Sequence, residues 1–317
     1  MRVVVTGGAG FIGSYLSASL MAKGFNVTVL DSLASGRLEN IEGLLKAKGF
    51  RFVRSDLKNG DFIKFFNGVD VVFHFAANPE VRASTIDPRR HFEENVVATF
   101  NVLEACRACG VELLVFASSS TVYGDAEQIP TPEGYGPLEP ISVYGACKLA
   151  CENLVVTYAK LYGIKSLIVR YANIIGPRSN HGVIVDFIDK LKRNPEELEI
   201  LGDGSQRKSY LHVYDAVDAT LHLLDVFRRS SRAYDIYNVG NDDWITVREI
   251  ADIVVDEMGL RGVKYRFKLG TIDGRGWLGD VKFMLLDIGK LKATGWKPRW
   301  NSREAVRKTV RQILGKE

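Results

Sequence analysis

The sequence predicts an α/β protein: a doubly wound parallel sheet with a second, smaller α/β domain. Three observations carry this. Short apolar runs of Val, Ile, Leu and Phe alternate with amphipathic stretches through the first half of the chain. The runs are continuous rather than alternating, as strands covered on both faces of a parallel sheet are. Beyond Gly176-Pro177-Arg178 the texture changes to Gly- and Asn-rich turns and shorter apolar runs.

Arg2–Thr6, Asn26–Leu30, Arg51–Arg54, Val71–Phe75, Leu113–Ala117 and Ser166–Arg170 read as buried strands. Ile12–Lys23 reads as a helix that opens after a Gly cluster and stops near Gly24. Asp87–Cys109 and Tyr144–Tyr162 are longer helices. Strand–helix alternation of this kind means βαβ units. In the second half, Val183–Arg193 and Val247–Met258 read as helices and Asp235–Gly240 as a short strand. Domains are expected at 1–176 and 177–317, with segments around 210–240 able to return to the first. The cleft between them is the expected substrate site.

Composition excludes several classes. Apolar residues make up 46% and charged residues 25% of 317, which is ordinary for a soluble globular chain. The 30 glycines show no period, so collagen-like order fails. No run of apolar residues is long enough for a transmembrane helix. Met1–Thr6 enters a strand directly and lacks the order of a signal peptide, so a cytoplasmic protein is expected. The net charge of +4 comes without the basic block of a nucleic-acid binder. Neither nucleic acid nor membrane is therefore an expected partner. Cys106, Cys109, Cys147 and Cys151 fall in helical segments, where idle thiols are the preferred reading over a metal site or a disulfide.

Gly7-Gly8-Ala9-Gly10-Phe11-Ile12-Gly13 follows the first strand and opens the first helix. Gly7 permits the tight turn, Gly10 lets backbone approach a pyrophosphate, and Gly13 allows close helix–strand packing. The helix N-terminus then offers N–H groups to phosphates. Asp31 ends the second strand, 18 residues after Gly13. A carboxylate there accepts from ribose hydroxyls and repels a 2′-phosphate, which favours NAD over NADP. Asp56, after the third strand, meets the adenine edge or serves as a turn residue.

Tyr144 and Lys148 stand at i and i+4, on one face of a helix. A nearby ammonium favours the phenolate and lowers the Tyr pKa, so Tyr acts as a base near neutral pH. The same Lys can hydrogen-bond the nicotinamide ribose. Ser118-Ser119-Ser120-Thr121-Val122-Tyr123-Gly124 follows the fifth strand, which places its hydroxyls at the carboxyl edge of the sheet.

Together with Thr6–Ser14, Ser35-Gly36, His74-Phe75-Ala76-Ala77, Asn95, Arg170–Asn173, Gly202-Asp203-Gly204 and Gly295–Pro298, these motifs run in order over almost the whole chain. They resemble the extended short-chain dehydrogenase/reductase superfamily, with its Rossmann-type sheet, and within it the UDP-glucose 4-epimerase family. The resemblance implies reversible epimerisation at C4′ of a UDP-hexose (UDP-galactose/UDP-glucose) through a transient 4-keto sugar. It implies tightly bound NAD, no metal, and a UDP-sugar as the small-molecule partner. Tyr144 would take the 4′-hydroxyl proton, Ser119 would bind the same oxygen, and Lys148 would orient the cofactor. The implied NAD site comprises Gly7, Gly10, Phe11, Ile12, Gly13, Asp31, Ser32, Ser35, Gly36, Arg37, Asp56, Leu57, Phe75, Ala76, Ala77, Asn95, Ser118, Tyr144, Lys148 and Ala172. The implied substrate site comprises Ser118, Ser119, Tyr144, Asn173, Val183, Ile184, Gly204, Gln206, Arg207, Lys208, Arg275 and Asp280. A homodimer through the helices Asp87–Cys109 and Tyr144–Tyr162 is implied too.

Alternatives within the superfamily are a UDP-glucuronate or UDP-N-acetylhexosamine 4-epimerase, or a net oxidoreductase. A nucleotide sensor without chemistry is the remaining alternative, and intact Ser119, Tyr144 and Lys148 argue against it. Departures from the pattern refine the reading. Related dehydratases carry an Asp-Glu pair where this chain has Ser120-Thr121, and elimination of water without those carboxyls lacks its acid and base. Related decarboxylating enzymes tend to carry Glu at the Thr121 position. Lys208 replaces a family Arg, with Arg207 beside it. Trp277 stands at a phosphate-binding Arg position, leaving Arg275 as the replacement. Ala172 stands where an aromatic often follows the Tyr, and Met284 where the family gates N-acetyl groups. His74, His181 and His212 are expected to be packed or hydrogen-bonded, not catalytic.

Overall fold

The computed structural model describes residues 1–59 and 61–317. It divides into two compact units. The first comprises Met1–Val122, Leu138–Arg170 and Val217–Tyr237; the second comprises Tyr123–Pro137, Tyr171–Ala216 and Asn238–Glu317. The expected border at 176 gives way to a division at Tyr171, and Tyr123–Pro137 lies in the second unit. Local texture along the chain cannot register segments that cross between units.

In the first unit, β1 (Arg2–Thr6), β2 (Asn26–Asp31), β3 (Phe50–Arg54), β4 (Val71–His74), β5 (Leu113–Ser119) and β6 (Lys165–Tyr171) share one sheet with the strand Tyr234–Val239. The order is β3-β2-β1-β4-β5-β6, then Tyr234–Val239. β3, β2, β1, β4 and β5 pair in parallel, with Val4 between Thr28 and Val72. The order reverses between β1 and β4, the switch point where the carboxyl ends of strands leave a crevice. Val3–Val5, Val71–Phe73 and Leu114–Phe116 are fully or nearly fully buried, which accounts for their unbroken apolar runs.

Four helices matter for the site. They are α1 (Phe11–Ala22), α2 (Pro88–Phe92), α3 (Ala98–Cys109) and α4 (Val143–Tyr162). Val102, Leu103 and Cys106 of α3 and Val155 and Tyr158 of α4 share a core with Phe62, Phe66, Leu114, Phe116 and Ile168. The expected continuous helix Asp87–Cys109 is interrupted, because a π-helical segment, Glu93–Val97, separates α2 from α3. Ser142 caps α4, its Oγ accepting from the Gly145 N–H at 3.1 Å, and Gly163 ends it with φ +73°. A left-handed terminal residue is cheapest for glycine.

The second unit holds three small sheets. Asn173–Ile175 pairs with Tyr210–His212 and Glu197–Leu201 with Lys264–Lys268, both in parallel. Ile245–Thr246, Arg207–Lys208 and Phe283–Met284 form the third. Its core gathers Phe187, Ile188 and Leu191, Ile250 and Val254, and Val306 and Val310, from the helices Val183–Arg193, Val247–Glu257 and Ser302–Ile313. The last two helices open with capping boxes, Thr246 with Glu249 and Asn301 with Glu304, each satisfying two orphan N–H donors.

Among the described residues no helix is long and apolar enough to cross a membrane. The four thiols are free; Cys106, Cys147 and Cys151 are buried. Phe66 is fully buried, with its ring 5.6 Å from that of Phe62. Truncating Phe66 to Ala is expected to cost about 3–5 kcal/mol, read as a lower urea midpoint at unchanged m-value.

Candidate active site

The glycine turn is tight for steric reasons. Gly7 has φ +69°, and a Cβ added there would lie 2.6 Å from the Ala76 nitrogen. A Cβ at Gly13 would lie 2.2 Å from the Gly7 carbonyl oxygen. Gly10 is the N-cap of α1 and brings no side-chain cap. The first-turn N–H groups at Phe11 and Ile12 therefore face outward with the positive end of the helix dipole, a ready site for a pyrophosphate.

Asp31 ends β2 with a buried carboxylate. Oδ2 accepts from the Ala9 N–H at 3.0 Å and Oδ1 from the Leu33 N–H at 2.8 Å. Burial raises its pKa, and the N–H groups of Leu33, Ala9 and Gly10 oppose the rise. Leu33 takes a left-handed φ of +62° in this turn, a strained conformation for a branched side chain. A Cβ at Gly36 would meet Asp31 Oδ1 at 2.7 Å. The loop carrying Ser32, Ser35 and Arg37 is pinned to the glycine turn: Arg37 N–H and Asn40 Nδ2 both donate to the Ala9 carbonyl, at 3.0 and 2.8 Å. These features fit NAD: a cradle that side chains would fill, an uncapped helix end, and a carboxylate at the ribose position. Asp56 accepts from the Lys58 N–H at 3.0 Å, so its turn role is realised. Leu57 is buried, and its carbonyl accepts from Asn101 Nδ2 at 2.8 Å.

Beyond β4 lies a directed chain of neutral groups. The Ala76 N–H donates to Thr6 Oγ1 at 3.3 Å, which meets His74 Nδ1 at 2.7 Å. His74 Nε2 meets Thr99 Oγ1 at 2.9 Å, and Thr99 donates to the Asn95 carbonyl at 2.6 Å. Each hydroxyl has one proton. Thr99 spends its own on Asn95, so His74 must donate from Nε2 and accept at Nδ1. Burial, then the nearby Lys148, pull the His74 pKa down to about 3. Asn95 sits in the π segment, its Oδ1 accepting from the Asn78 N–H at 3.1 Å and its Nδ2 donating to the His91 carbonyl at 2.8 Å. Phe75, Ala76 and Ala77 follow directly from this end of β4.

Ser118 and Ser119 form the carboxyl end of β5 rather than following it. Ser119 Oγ accepts from the Thr121 hydroxyl at 3.0 Å and is hydrogen-bonded to the Tyr144 phenol. Lys148 is almost wholly buried. Its Nζ donates to the Ala117 carbonyl at 2.7 Å and lies 5.0 Å over the Phe116 ring and 5.9 Å from the centre of the Tyr144 ring. Burial pulls its pKa down to about 8. The sequence leads one to expect a lowered pKa for Tyr144. In the structure burial pushes it up, and only the Ser119 hydrogen bond lowers it. Spacing reveals the ammonium but not the loss of water.

Sequence reasoning missed Glu152 as a site residue. Arg170 Nε and Nη2 grip its two oxygens at 2.9 and 2.7 Å, and the Ser118 hydroxyl donates to Oε1 at 2.5 Å. The available signal was Glu152 standing at i+4 from Lys148.

In the second unit, Ala172 N–H donates to the Val239 carbonyl at 2.9 Å and Asn173 Nδ2 to the Ser209 carbonyl at 3.0 Å. Ile184 belongs to the core, so only backbone at Val183 and Ile184 is offered, at a helix start without a side-chain cap. Gly204 has φ +78°. Gln206 is buried, its Nε2 donating to the Leu201 carbonyl at 3.0 Å while Oε1 has no partner among the described residues. Lys208 Nζ pairs with Asp280 at 2.6 Å, and Arg207 lies exposed, 5.7 Å over the Trp244 ring. Arg275 is held by Asp273 at 2.6 Å and Asp125 at 2.8 Å and donates to the Asp280 carbonyl. A cleft of about 360 Å³ opens here, lined by Asp125, Ala126, Ile129, Asp273, Arg275, Lys282 and Phe283. Met284 pairs with Lys208 across the small sheet. His212 is buried against Gln312 at 3.0 Å. His181 departs from the expected packing: it lies exposed in the loop before the helix Val183–Arg193.

The His74 chain sets an acid sensitivity. The folded protein holds His74 neutral down to about 3, whereas the unfolded chain takes up that proton near an ordinary pKa of about 6.5. Stability present above the unfolded value is lost as pH falls between the two, amounting to about 2 kcal/mol at pH 5. Urea midpoints at pH 7.5 and 5 read this. His74→Gln is expected to be less stable at pH 7.5 and to lose that share of the pH dependence; an unaltered dependence would contradict the assignment.

A family model described as the NAD dependent epimerase/dehydratase family matches residues 3–240. The UDP-glucose 4-epimerase of Mycolicibacterium smegmatis is 34% identical over 318 residues, covering 98% of this chain and 97% of that one. The crystal structure of a UDP-galactose 4-epimerase is similar with a TM-score of 0.89 at 52% identity, over 100% of this chain and 99% of that one. The Thermus thermophilus UDP-glucose 4-epimerase in complex with NAD gives 0.85 at 37% identity, over 99% of both. With the glycine turn, Asp31 and the Ser119–Tyr144–Lys148 group in place, the chain belongs to the NAD-dependent epimerase/dehydratase family of the extended short-chain dehydrogenase/reductase superfamily, and its cofactor is NAD.

Proposed function

We propose that the protein interconverts the C4′ epimers of a UDP-hexose, UDP-galactose and UDP-glucose, while retaining its NAD. The observation that carries this is the Tyr144–Ser119 pair beside buried Lys148, with the hydroxyls of Ser120 and Thr121 where a dehydrating relative needs carboxyls. Bound NAD supplies a hydride acceptor that also returns the hydride, so the sum of the two half-reactions is redox-neutral. Tyr144, as the phenolate, takes the 4′-hydroxyl proton as the C4′ hydride leaves. The Ser119 hydroxyl holds the same oxygen. Burial opposes the phenolate, and the Ser119 hydrogen bond lowers that penalty. After the keto sugar turns its other face, Tyr144 returns the proton to the 4′ oxygen.

In the second unit, the cations named for the diphosphate are Arg207, which lies exposed, and the pair Lys208 and Arg275. Both are engaged by carboxylates, so phosphate oxygens replace carboxylate oxygens on them. The reading also carries a cytoplasmic homodimer. Support for the dimer is the set of large apolar side chains left exposed on α2–α4, Phe92, Phe100 and Leu161.

Purified protein incubated with a panel of UDP-sugars, with products separated by anion exchange, is expected to interconvert UDP-galactose and UDP-glucose without added cofactor. Consumption of free NAD during turnover would overturn the proposal in favour of a net oxidoreductase. Turnover confined to N-acetylated or uronic-acid sugars would overturn the hexose assignment. Tyr144→Phe should lose about 10²–10⁴-fold in kcat while NAD stays bound, as judged by absorbance of the denatured supernatant. Unchanged turnover would remove Tyr144 as the base.

A further inference from the structure

We infer that Glu152, gripped by Arg170, is a positioning residue: it fixes the end of β5 against α4 and supplies the counter-charge for the buried Lys148 ammonium. The inference rests on the reading of Tyr144 and Lys148 as the catalytic pair.

Tyr144, Lys148 and Glu152 follow at intervals of four on α4, so they share one helix face. The side chains of Glu152 and Arg170 are only 4% and 3% exposed. Arg170 binds both carboxylate oxygens in the fork geometry that a guanidinium matches well. The third bond, from the Ser118 hydroxyl at 2.5 Å, reaches the residue between two others that matter. Ala117 gives its carbonyl to Lys148 at 2.7 Å, and Ser119 bonds the Tyr144 phenol. One carboxylate thereby sets the strand position on which both the ammonium and the phenol depend.

The Lys148 ammonium also needs a counter-charge. An ammonium moved out of water needs an opposite charge or it sheds its proton. From β5, Lys148 meets the Phe116 ring and the Ala117 carbonyl, neither of which carries a net charge. From β4 it faces His74, which is neutral at physiological pH. From β6 comes Arg170, the partner of Glu152. On its own helix stand Tyr144, Cys147, Cys151 and Glu152. Burial pushes the Cys147 thiol up to about 11 and raises that of Cys151, so both stay protonated near neutral pH. Burial likewise disfavours the Tyr144 phenolate before catalysis. Glu152 is left, among these described groups, as the working negative charge. It opposes the burial that draws Lys148 down to about 8.

The test uses the NAD-loaded enzyme and two readouts. Lysine labelled with ¹³C at Cε reports the Lys148 titration by NMR, with the resonance assigned by Lys148→Met; kcat and KM for UDP-galactose are followed across pH. Glu152→Gln is expected to move the Lys148 midpoint, and with it the alkaline limb of kcat, down by about one pH unit or more. At pH 8 that is roughly a fivefold lower kcat, with KM little changed. Removal of one partner of a buried pair can unfold the chain. The double variant Glu152→Gln/Arg170→Gln, which leaves no guanidinium unpaired but still removes the Lys148 counter-charge, should therefore show the same downward direction. Ser118→Ala cuts the tie to β5 and, with NAD retained and KM unchanged, should lower kcat at every pH without moving the limb. An unmoved midpoint and limb in the folded Glu152 variants would overturn the counter-charge role. Full activity in Ser118→Ala would overturn the positioning role. Failure of the catalytic reading itself would show separately, as turnover surviving in Tyr144→Phe.

Discussion

Helix α1 can close on β1 only because no Cβ stands at Gly13. A methyl group there would come 2.2 Å from the Gly7 carbonyl oxygen, and one at Gly7 would come 2.6 Å from backbone at Ala76. These are backbone obstacles, so no side-chain rotation relieves them. The constraint is steric rather than attractive, yet the site hangs from it. Close approach puts the uncapped end of α1 at the switch between β1 and β4, brings Ala9 to the Asp31 carboxylate, and sets the Thr6 hydroxyl against Ala76 and His74.

Around that frame, polar groups at the strand ends are buried but partnered, in two different ways. The Thr6–His74–Thr99–Asn95 chain is neutral, and every proton in it has one place to be. The Ser118–Glu152–Arg170 cluster is ionic and works by charge as well as direction. Buried networks of either kind are rigid when satisfied and costly when broken. Groups fixed in advance need no reorganisation when charge develops on a substrate oxygen.

Much of this was legible along the chain. The six strands of the first half announced themselves as apolar runs, and each lies within a residue or two of its expected limits. The glycine turn, Asp31, and Tyr144 with Lys148 were visible because their chemistry is written in short spacings. What escaped was written across elements. Glu152 and Arg170 lie on a helix and a strand, and Asp125 and Arg275 are separated by 150 positions; no local pattern links either pair. Two domains with a return around 210–240 were expected, and Val217–Tyr237 does belong to the first unit; the place of Tyr123–Pro137 in the second eluded a linear reading, because both units are assembled from separated segments. The Tyr144 pKa was misjudged in sign, since spacing counts neighbouring charges but not the water removed by folding.

The π segment at Glu93–Val97 joins α2 to α3 with one residue more than an α-helical path would use. That makes the length of this stretch, as well as its composition, a fixed quantity. Deleting a residue between Asn95 and Thr99 would let the stretch close as ordinary α-helix and cut the interval between the two side chains from four residues to three, about 100° around the helix. Asn95 would then leave Asn78, or Thr99 would leave His74; both could not be kept. A family can exchange many side chains along this helix, but in this chain it cannot shorten it by one without uncoupling the two contacts that tie it to the end of β4.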